Sequence, residues 1–303
     1  MRAFEFPKQD SIDRLRNVVE SPSKEIEWPN VVVTASYKNY QKSISESSFT
    51  ILANTSGTIK LSTSKRYIKV CEQTFYISNP FESFRYEIDS EDLVDTFNIH
   101  INFDFYSKAQ YALLNSNEKL LDTPYEQDSS YKYINQLHYR NSSFNEIIQS
   151  YSTENEASFL MDILKHSLVI DHKEKGRSFN IQATKKSTRK ELAKRMVEAK
   201  DYIYSNYNDS EFSIKNVSKL VSMSHFHFLR VFKNVYGISP HQYLKRIRIE
   251  RAKYLLNNTD LPISTIAFSV GFKESTTIYP ILKNHLSTTP QDYRKKFSNF
   301  QKS

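Results

Sequence analysis

The chain contains the stretch I-K-N-V-S-K-L-V-S-M-S-H-F-H-F-L-R-V-F-K-N-V-Y-G-I-S-P-H-Q-Y at residues 214–243, and the stretch I-S-T-I-A-F-S-V-G-F-K-E-S-T-T-I-Y-P-I-L-K-N-H-L-S-T-T-P-Q-D-Y follows at 263–293. The two stretches share one pattern of apolar residues. The matches at a constant offset are Ile214 with Ile263, Val217 with Ile266, Ser218 with Ala267, Val221 with Val270 and Met223 with Phe272. One inserted residue later, Phe232-Lys233-Asn234, Pro240 and Tyr243 match Leu282-Lys283-Asn284, Pro290 and Tyr293. Each copy has two segments of helical periodicity joined by a tight turn, which predicts a helix-turn-helix.

Charge is distributed unevenly along the 303 residues. Residues 171–303 hold 25 Lys and Arg against 11 Asp and Glu, a net charge of +14. Residues 1–170 hold 17 basic and 23 acidic residues, a net charge of −6. A basic half that also carries the repeat favours a polyanionic partner over a merely solvated lysine-rich surface. We therefore expect the repeat to bind double-stranded DNA.

The cysteine count and the apolar runs indicate where the protein works. Cys71 is the only cysteine, so no intrachain disulfide can form, as is typical of a reducing compartment. The first ten residues, M-R-A-F-E-F-P-K-Q-D, lack the apolar run of a signal peptide, and no stretch approaches the roughly 18 apolar residues of a membrane span. We expect a cytoplasmic protein without a membrane partner.

The N-terminal half is predicted to be an antiparallel β structure. Short runs rich in β-branched and aromatic residues lie at 31–37, 49–54, 58–63, 66–70, 74–78 and 96–103. Turn residues separate them, among them Asn54 to Gly57, in a predicted hairpin, and Asp89 to Asp92. Many short strands at this spacing indicate a sandwich or a barrel.

Helical periodicity begins near Ser107 and defines the rest of the domain plan. Residues 143–151 and 157–170 have the pattern of amphipathic helices, which either pack on the β structure or form a self-association face. The polar, basic stretch 171–190 has the composition of a linker. We predict a regulatory or dimerisation domain at 1–170, a linker at 171–190 and an all-helical DNA-binding domain at 191–303.

In the first unit, Ser213 and Ser224 are predicted N-caps of two helices that meet at the turn Ser222-Met223. Ile214, Val217, Leu220 and Val221 are expected to face the core from the first helix, and Phe228, Val231, Phe232 and Val235 from the second. The N-terminal part of the second helix of such a unit lies in the major groove. The predicted DNA contacts are Ser224, His225, Phe226, Leu229, Arg230 and Lys233. Arg230 suits bidentate recognition of guanine, with phosphate contact as its alternative, and Phe226 and Leu229 suit thymine methyls or plain packing.

The second unit is predicted to turn at Gly271-Phe272, where a positive φ favours glycine. Its DNA contacts are predicted to be Glu274, Ser275, Thr276, Tyr279 and Pro280. Pro280 lies about two turns into the helix, where the missing N–H and a ring clash cost about 3 kcal/mol. We expect a kink and weaker base discrimination in this unit.

Residues 240–256 predict a strong helix that holds the two recognition helices at a fixed separation. Successive major grooves on one face of DNA lie about 34 Å apart, so a shorter separation requires bent DNA. Phosphate contacts are predicted for the basic residues on and near this helix and at the end of the chain: Lys245, Arg246, Arg248, Arg294 and Lys295.

These residues resemble the C-terminal domain of AraC/XylS-type bacterial transcription regulators. The resemblance rests on I-S-T-I-A-F-S-V-G-F at 263–272, T-P-Q-D-Y-R at 289–294 and R-V-F-K-N-V-Y-G-I-S-P at 230–240, and it covers about 193–297. It implies a seven-helix domain with both recognition helices in adjacent major-groove segments, and RNA polymerase as a partner. Pro280 stands where the family usually has arginine, Ser287 where it has glycine and Ser218 where it has alanine.

The N-terminal half is similar to the family's cupin-like antiparallel β-barrel in element order and strand pattern. Cupin enzymes hold metal with a histidine cluster and a carboxylate, whereas the strand region here contains only His100. His225 and His227 lie two apart on one helix and point in different directions. No nucleophile–base set, P-loop or dinucleotide fingerprint is present. We therefore expect no enzyme activity, no cofactor and no metal.

The sequence predicts an α+β multidomain regulator that binds promoter or operator DNA specifically, as an activator and a homodimer. Its N-terminal domain is expected to sense a small-molecule effector or to mediate dimerisation. One alternative is a regulator without an effector, controlled by abundance or a partner protein. A second alternative is a metal-dependent cupin enzyme with a DNA-binding appendage.

Overall fold

The computed structural model describes residues 2–5, 29–63, 66–124 and 131–300, and for 297–300 only the backbone. The chain divides into two compact units, Met1–Gly176 and Arg177–Ser303. The first consists of β-sheets and helices and the second of helices. The predicted order of a β-rich domain followed by a helical domain is confirmed.

The strands of the first unit form two sheets. They are β1 Arg2–Ala3, β2 Val31–Val33, β3 Ser36–Ile44, β4 Phe49–Ala53, β5 Thr58–Ser62, β6 Tyr67–Cys71, β7 Thr74–Ser78, β8 Phe84–Asp95, β9 Asn98–Ile101 and β10 Leu137–Tyr139. One sheet has the order β1-β2-β9-β4-β7-β10 and the other β3-β8-β5-β6. All pairings are antiparallel except β1 with β2. Neither sheet closes on itself among the described residues, so the expected barrel is not confirmed.

Two details of the strand prediction are wrong. Gly57 does not close a hairpin, because β4 belongs to the first sheet and β5 to the second. The polar stretch Asp89 to Asp92 is not a turn but lies inside β8, where Asp89 pairs with Asn39 and Val94 with Tyr37 around an irregularity. Pairing with β3 on both sides of the irregularity, at Asp89 and at Val94, keeps this stretch within β8, although its composition favours a turn.

Helices cover one face of the larger sheet. They are α1 Phe103–Leu114, α2 Asn117–Asp122, α3 Ser142–Gln149 and α4 Glu156–Arg177. Phe49, Ile51, Phe75 and Ile77 of the sheet share a core with apolar residues of these helices: Tyr106, Ala109, Phe144, Phe159, Leu160, Ile163, Leu164 and Leu168. The two predicted amphipathic helices are confirmed, and their apolar faces pack on the sheet rather than remaining open for self-association.

The stretch expected as a linker is mostly helical. Helix α4 extends to Arg177, a 3-10 turn follows at Ser178–Asn180, and the next helix begins at Lys186. Asp171 lies in α4 with a fully buried side chain. Its carboxylate accepts hydrogen bonds from the Tyr131 hydroxyl at 2.6 Å and the Ile134 N–H at 2.7 Å, and pairs with Lys175 at 2.7 Å. These contacts tie the start of the stretch, at Asp171 and Lys175, to the N-terminal unit.

The C-terminal unit, Arg177–Ser303, has seven α-helices in its described part. They are α5 Lys186–Ser205, α6 Ile214–Leu220, α7 His225–Tyr236, α8 Pro240–Asn258, α9 Ile263–Ser269, α10 Ser275–Leu286 and α11 Pro290–Phe300. Helix α5 packs on α6 and α7, while α8 packs on α9 and α11. Among the described helices of both units, none has the length and apolar character needed to cross a membrane.

Candidate nucleic-acid interface

The two repeats adopt the same turn. In the first, the Met223 N–H donates to the Ser218 carbonyl at 2.9 Å and the Ser222 N–H to the Lys219 carbonyl at 2.9 Å. In the second, the corresponding bonds join Phe272 to Ala267 and Gly271 to Phe268, each at 3.0 Å. The repeat seen in the sequence is therefore also a repeat of backbone hydrogen bonding, and α6–α7 and α9–α10 form two helix-turn-helix units.

Each unit also contains two backbone positions in the left-handed region. The turn position has φ of 53° at Ser222 and 90° at Gly271, and the residue after the recognition helix has φ of 78° at Gly237 and 55° at Ser287. Both units thus use one glycine and one serine, but at opposite positions. The left-handed conformation costs a non-glycine residue about 1–2 kcal/mol, so each unit carries one strained serine.

The first unit buries the predicted apolar stripe. Phe228 and Phe232 of α7 are fully buried, and Val231 and Val235 are almost so. On α6 the prediction for Leu220 is wrong, because its side chain is 55% exposed. A helix buries positions i, i+3, i+4 and i+7, which from Ile214 are Val217, Ser218 and Val221 and omit Leu220. Buried Ser218 satisfies its hydroxyl by donating to the Lys215 carbonyl at 2.8 Å.

The opposite side of α7 is open. Phe226 is 84% exposed, and Arg230, Lys233 and the N-cap residue Ser224 are also exposed, while His225 and Leu229 are half-buried. Ser224 and Ser213 occupy their N-cap positions without a side-chain hydrogen bond to the helix. A phenylalanine in water is unfavourable by roughly 1.5–3 kcal/mol relative to burial, so the exposure of Phe226 carries a cost in stability.

The second unit presents a smaller and less apolar face. Ile278 and Leu282 of α10 are fully buried together with Ile266, Ala267 and Val270. The predicted contacts Glu274, Thr276 and Pro280 are exposed, and Ser275 and Tyr279 are half-buried. The Tyr279 hydroxyl lies 3.3 Å from Gln291 Oε1 of α11. Glu274 is the N-cap of α10 and has no side-chain bond to it.

Pro280 lies inside α10, which continues as an α-helix to Leu286. A proline has no N–H, so the carbonyl of Thr276 lacks the donor that it would find one turn later in a regular helix. This carbonyl belongs to a residue on the exposed face of the helix.

Helix α8 connects the units and is well capped. The Ser239 hydroxyl accepts from the Gln242 N–H at 3.2 Å, and the Gln242 side chain accepts from the Ser239 N–H at 2.9 Å, which completes a capping box. Pro240 occupies the first turn, where its missing N–H costs nothing. With 19 residues, α8 is about 28 Å long.

The predicted phosphate contacts fall into two groups. Lys245, Arg246 and Lys295 are exposed. Arg248 and Arg294 are instead half-buried and donate to backbone carbonyls, Arg294 to Leu261 at 2.6 Å and Arg248 to Tyr207 at 2.8 Å and Asp209 at 3.1 Å. Phosphate contact by Arg248 stays a prediction, and two of its guanidinium nitrogens donate to carbonyls inside the domain.

One contact of the first unit was missed by the sequence reasoning. Arg195 of α5 donates to the carbonyl of the turn residue Ser222 at 3.1 Å and pairs with Glu191 at 3.1 Å. Arg195 and Arg248 each lie ten residues before the final residue of the helix that precedes a unit. The correspondence of Arg195 with Arg248 appears only when the repeat is extended backwards to include α5 and α8. The loops that follow these two helices differ in length, so a constant sequence offset does not align the two arginines.

The N-terminal unit, Met1–Gly176, has a partly polar interior. Asn98 of β9 is fully buried and donates to the Tyr86 hydroxyl of β8 at 3.3 Å, so the two sheets face each other here. His100 Nδ1 lies 3.2 Å from the Thr50 hydroxyl. Burial, together with the nearby charge of Lys42, lowers the pKa of His100 to about 4. His100 is therefore neutral at pH 7 and can both donate and accept hydrogen bonds.

Across the described ranges, no three His, Cys, Asp or Glu side chains are placed to share a metal ion. His100 has a hydroxyl and an ammonium group as its neighbours rather than carboxylates.

Comparison with known proteins agrees with this geometry. A family model described as a helix-turn-helix domain matches residues 217–296, which span both units. The lactose operon transcription activator of Staphylococcus xylosus is 33% identical over 100 residues, covering 33% of this chain and 36% of that protein. The arabinose operon regulatory protein of Escherichia coli is 30% identical over 114 residues, covering 38% and 39%.

Among solved structures, the C-terminal domain of the two-component response regulator yesN from Fusobacterium nucleatum is 32% identical, covers 32% of this chain and 93% of that one, and has a TM-score of 0.31. The chain thus carries a helix-turn-helix domain. More specifically, the domain is of the AraC/XylS type, and the matched proteins are transcription regulators. The chain spans only about a third of the length of the curated relatives that it matches.

Proposed function

We propose that this chain is a sequence-specific transcription regulator, acting as an activator, whose two helix-turn-helix units bind adjacent windows of promoter DNA. The observation that carries the proposal is the exposed face of α7, with Phe226 84% exposed beside Arg230 and Lys233. A solvated aromatic side chain next to two cations suits a groove that offers thymine methyls and phosphates. The proposal includes no catalytic step.

For the first unit we assign base contacts to the exposed residues of α7. Arg230 is the candidate for bidentate recognition of guanine, and Phe226 and Leu229 for thymine methyls. Ser224 and His225 lie at the N-terminus of α7, where side chains and backbone N–H groups suit phosphate. Lys233, in the last turn, suits the phosphate backbone.

For the second unit we assign Ser275, Thr276 and Tyr279 to DNA contact, with Glu274 as an acceptor for a cytosine amino group. Pro280 supplies surface contact only. Because proline offers no donor, this unit is proposed to discriminate bases less than the first. Outside the units, Lys245, Arg246 and Lys295 are proposed as phosphate contacts, and half-buried Arg294 as a secondary one.

The test begins with selection of duplexes from a random library by the full chain, followed by footprinting on the enriched sequence. Protection of two neighbouring windows is expected. The logarithm of the affinity should fall linearly with the logarithm of salt concentration, by about 0.9 per neutralised phosphate. A library with no enriched sequence, or binding indifferent to salt, would show that the proposal is wrong.

We further propose that the N-terminal unit is a cupin-like regulatory domain. Two facing antiparallel sheets with the polar group Thr50, His100 and Lys42 support a domain that senses a small polar effector. The remaining alternative is a regulator without an effector. A thermal-shift screen of the full chain separates the two, because an effector that binds the native state raises its melting temperature.

The wider setting of the protein is proposed by analogy. A regulator of this type works in the cytoplasm with RNA polymerase as its partner. A homodimer remains proposed, although the apolar face of α4 is already used by the sheet. A stoichiometric transition metal in the purified protein would instead favour the metal-dependent cupin enzyme.

A further inference from the structure

Arg248 joins three parts of the DNA-binding domain that are distant in sequence. From its place on α8, its Nε donates to the Tyr207 carbonyl at 2.8 Å and its Nη2 to the Asp209 carbonyl at 3.1 Å. Its guanidinium also lies 5.5 Å from the centre of the Phe272 ring. We call these contacts the Arg248 bridge.

The partners of the bridge lie beside different helix-turn-helix units. Tyr207 and Asp209 lie between α5 and α6, where the chain enters the first unit. Phe272 lies in the turn of the second unit, next to Gly271. A single side chain on the connecting helix therefore holds the start of one unit against the turn of the other.

The packing at this point leaves no room for a side chain at Gly271. A Cβ atom built on Gly271 would lie 2.5 Å from the Tyr207 carbonyl oxygen and 2.9 Å from Arg248 Nη2. Real Cβ atoms do not approach other atoms so closely, so the backbone of the second turn is in direct contact with the loop of the first unit. A shift of one unit along the other would break these contacts.

Another polar link between the same segments, the ion pair of Lys273 with Glu211, is weaker. Lys273 Nζ pairs with Glu211 Oε1 at 2.9 Å, but both side chains are more than 60% exposed. Exposed ion pairs contribute little because water and salt screen them. Arg248 is half-buried, and its planar fork satisfies two carbonyls at once, which a lysine cannot do with the same geometry.

We propose that Arg248 is a positioning residue that fixes the separation of the two recognition helices and thereby selects the spacing of the two DNA windows. This inference rests on the proposed function, because it concerns DNA that both units bind together. Two rigidly linked binding modules gain affinity only when the two sites match their spacing. Without the Arg248 bridge, the affinity for DNA with the matched spacing falls, and a change of spacing costs less affinity than in the wild type. The affinity for a single window is unchanged.

The experiment uses the full chain and the duplex obtained by selection. Affinity is measured by fluorescence anisotropy for that duplex, for versions with one base pair inserted or deleted between the windows, and for a duplex with one window scrambled. The variants are Arg248→Met, Arg248→Lys and, from the other side of the bridge, Phe272→Leu. The controls are Arg195→Met, which alters the corresponding arginine within the first unit only, and Lys273→Met.

The wild type and both controls are expected to lose about tenfold or more in affinity when the spacing changes by one base pair. Arg248→Met is expected to bind the original duplex about tenfold more weakly than the wild type does. Insertion or deletion of a base pair should then lower the affinity of this variant by less than about threefold more. Arg248→Lys and Phe272→Leu should fall between the wild type and Arg248→Met. Affinity for the single window should stay within about twofold of the wild type.

Thermal melting identifies which variants are folded. One folded variant among the three that alter the Arg248 bridge is enough to test the inference. A folded bridge variant that keeps the spacing penalty of the wild type would overturn the inference. A reduced penalty in Arg195→Met of the same size would also overturn it, because the effect would then be general softening. If the wild-type chain selects no sequence at all, the proposed function fails instead, and that result is distinguishable from both.

Discussion

The two helix-turn-helix units share their turn hydrogen bonds but differ in where each places its glycine. The first has Ser222 in the turn and Gly237 after the recognition helix, and the second has Gly271 in the turn and Ser287 after the helix. The surroundings of the second turn explain why it has glycine where the first turn has serine. The turn of the second unit touches the Tyr207 carbonyl and admits no side chain, whereas nothing lies within 4 Å of a Cβ at Gly237. The two glycines therefore obey different constraints, set by what packs against them.

The largest effect is expected from Gly271→Ala compared with Gly237→Ala. At Gly271 the methyl group adds a clash with backbone to the strain of a positive φ, so the free energy of unfolding should fall by about 3–5 kcal/mol. At Gly237 only the strain applies, which costs about 1–2 kcal/mol. Urea unfolding of the full chain, followed by the helical circular dichroism signal, measures both. Equal losses in the two variants would refute the assigned contact.

The next effect concerns DNA recognition by the two units. Arg230→Ala should weaken binding to the selected duplex by about 1–3 kcal/mol and relax the preference at one base pair. Thr276→Ala, at the start of the second recognition helix, should cost less than about 1 kcal/mol, because this unit is proposed to discriminate less. Anisotropy titrations against duplexes with single base changes provide the comparison. A larger loss for Thr276→Ala would reverse the proposed ranking of the units.

Pro280→Arg tests why the second unit is proposed to be weaker. The substitution restores an N–H to α10 and adds a cation with bidentate donors on an exposed position. Affinity should rise about fivefold, or the preferred bases of the second window should change. Pro280→Ala is the matched control, since it restores the N–H without the guanidinium. If Pro280→Arg leaves both affinity and base preference unaltered, the proline does not limit recognition.

The smallest effects are expected from glycine at the two strained serines. Ser287→Gly and Ser222→Gly each remove the cost of a side chain at positive φ, and each should raise the free energy of unfolding by about 0.5–1 kcal/mol. The flexibility that glycine adds to the unfolded chain offsets part of the gain. Thermal melting of the single and double variants measures the changes. A loss of stability in Ser222→Gly would indicate that its side chain is needed in the turn.

Much of the DNA-binding domain was predictable because its helices are short and strongly periodic. The turns at Ser222 and Gly271, the helix ends near Tyr236 and Gly237, and the buried stripe of α7 follow from local spacing. Leu220 was misassigned because it is apolar but lies off the stripe by about a third of a turn. An apolar residue on the buried stripe and one beside it, such as Leu220, are distinguished only when each position is placed on a helical wheel.

The errors elsewhere concern features that depend on distant partners. Asp89 to Asp92 favour a turn by composition, but they lie inside β8, whose pairing with β3 continues at Val94 beyond an irregularity. Arg248 belongs to a basic cluster in the sequence, and only the fold brings the Tyr207 and Asp209 carbonyls to its guanidinium. Whether an arginine faces phosphate or serves the fold is decided by tertiary contacts that sequence spacing does not contain.

Contact between Gly271 and the Tyr207 carbonyl has a consequence for how the domain could have evolved. Because the backbone of the second turn touches the segment between α5 and α6, neither segment can be lengthened at this junction without a change in the other. An insertion after α5 would have to be matched by a compensating change beside Phe272.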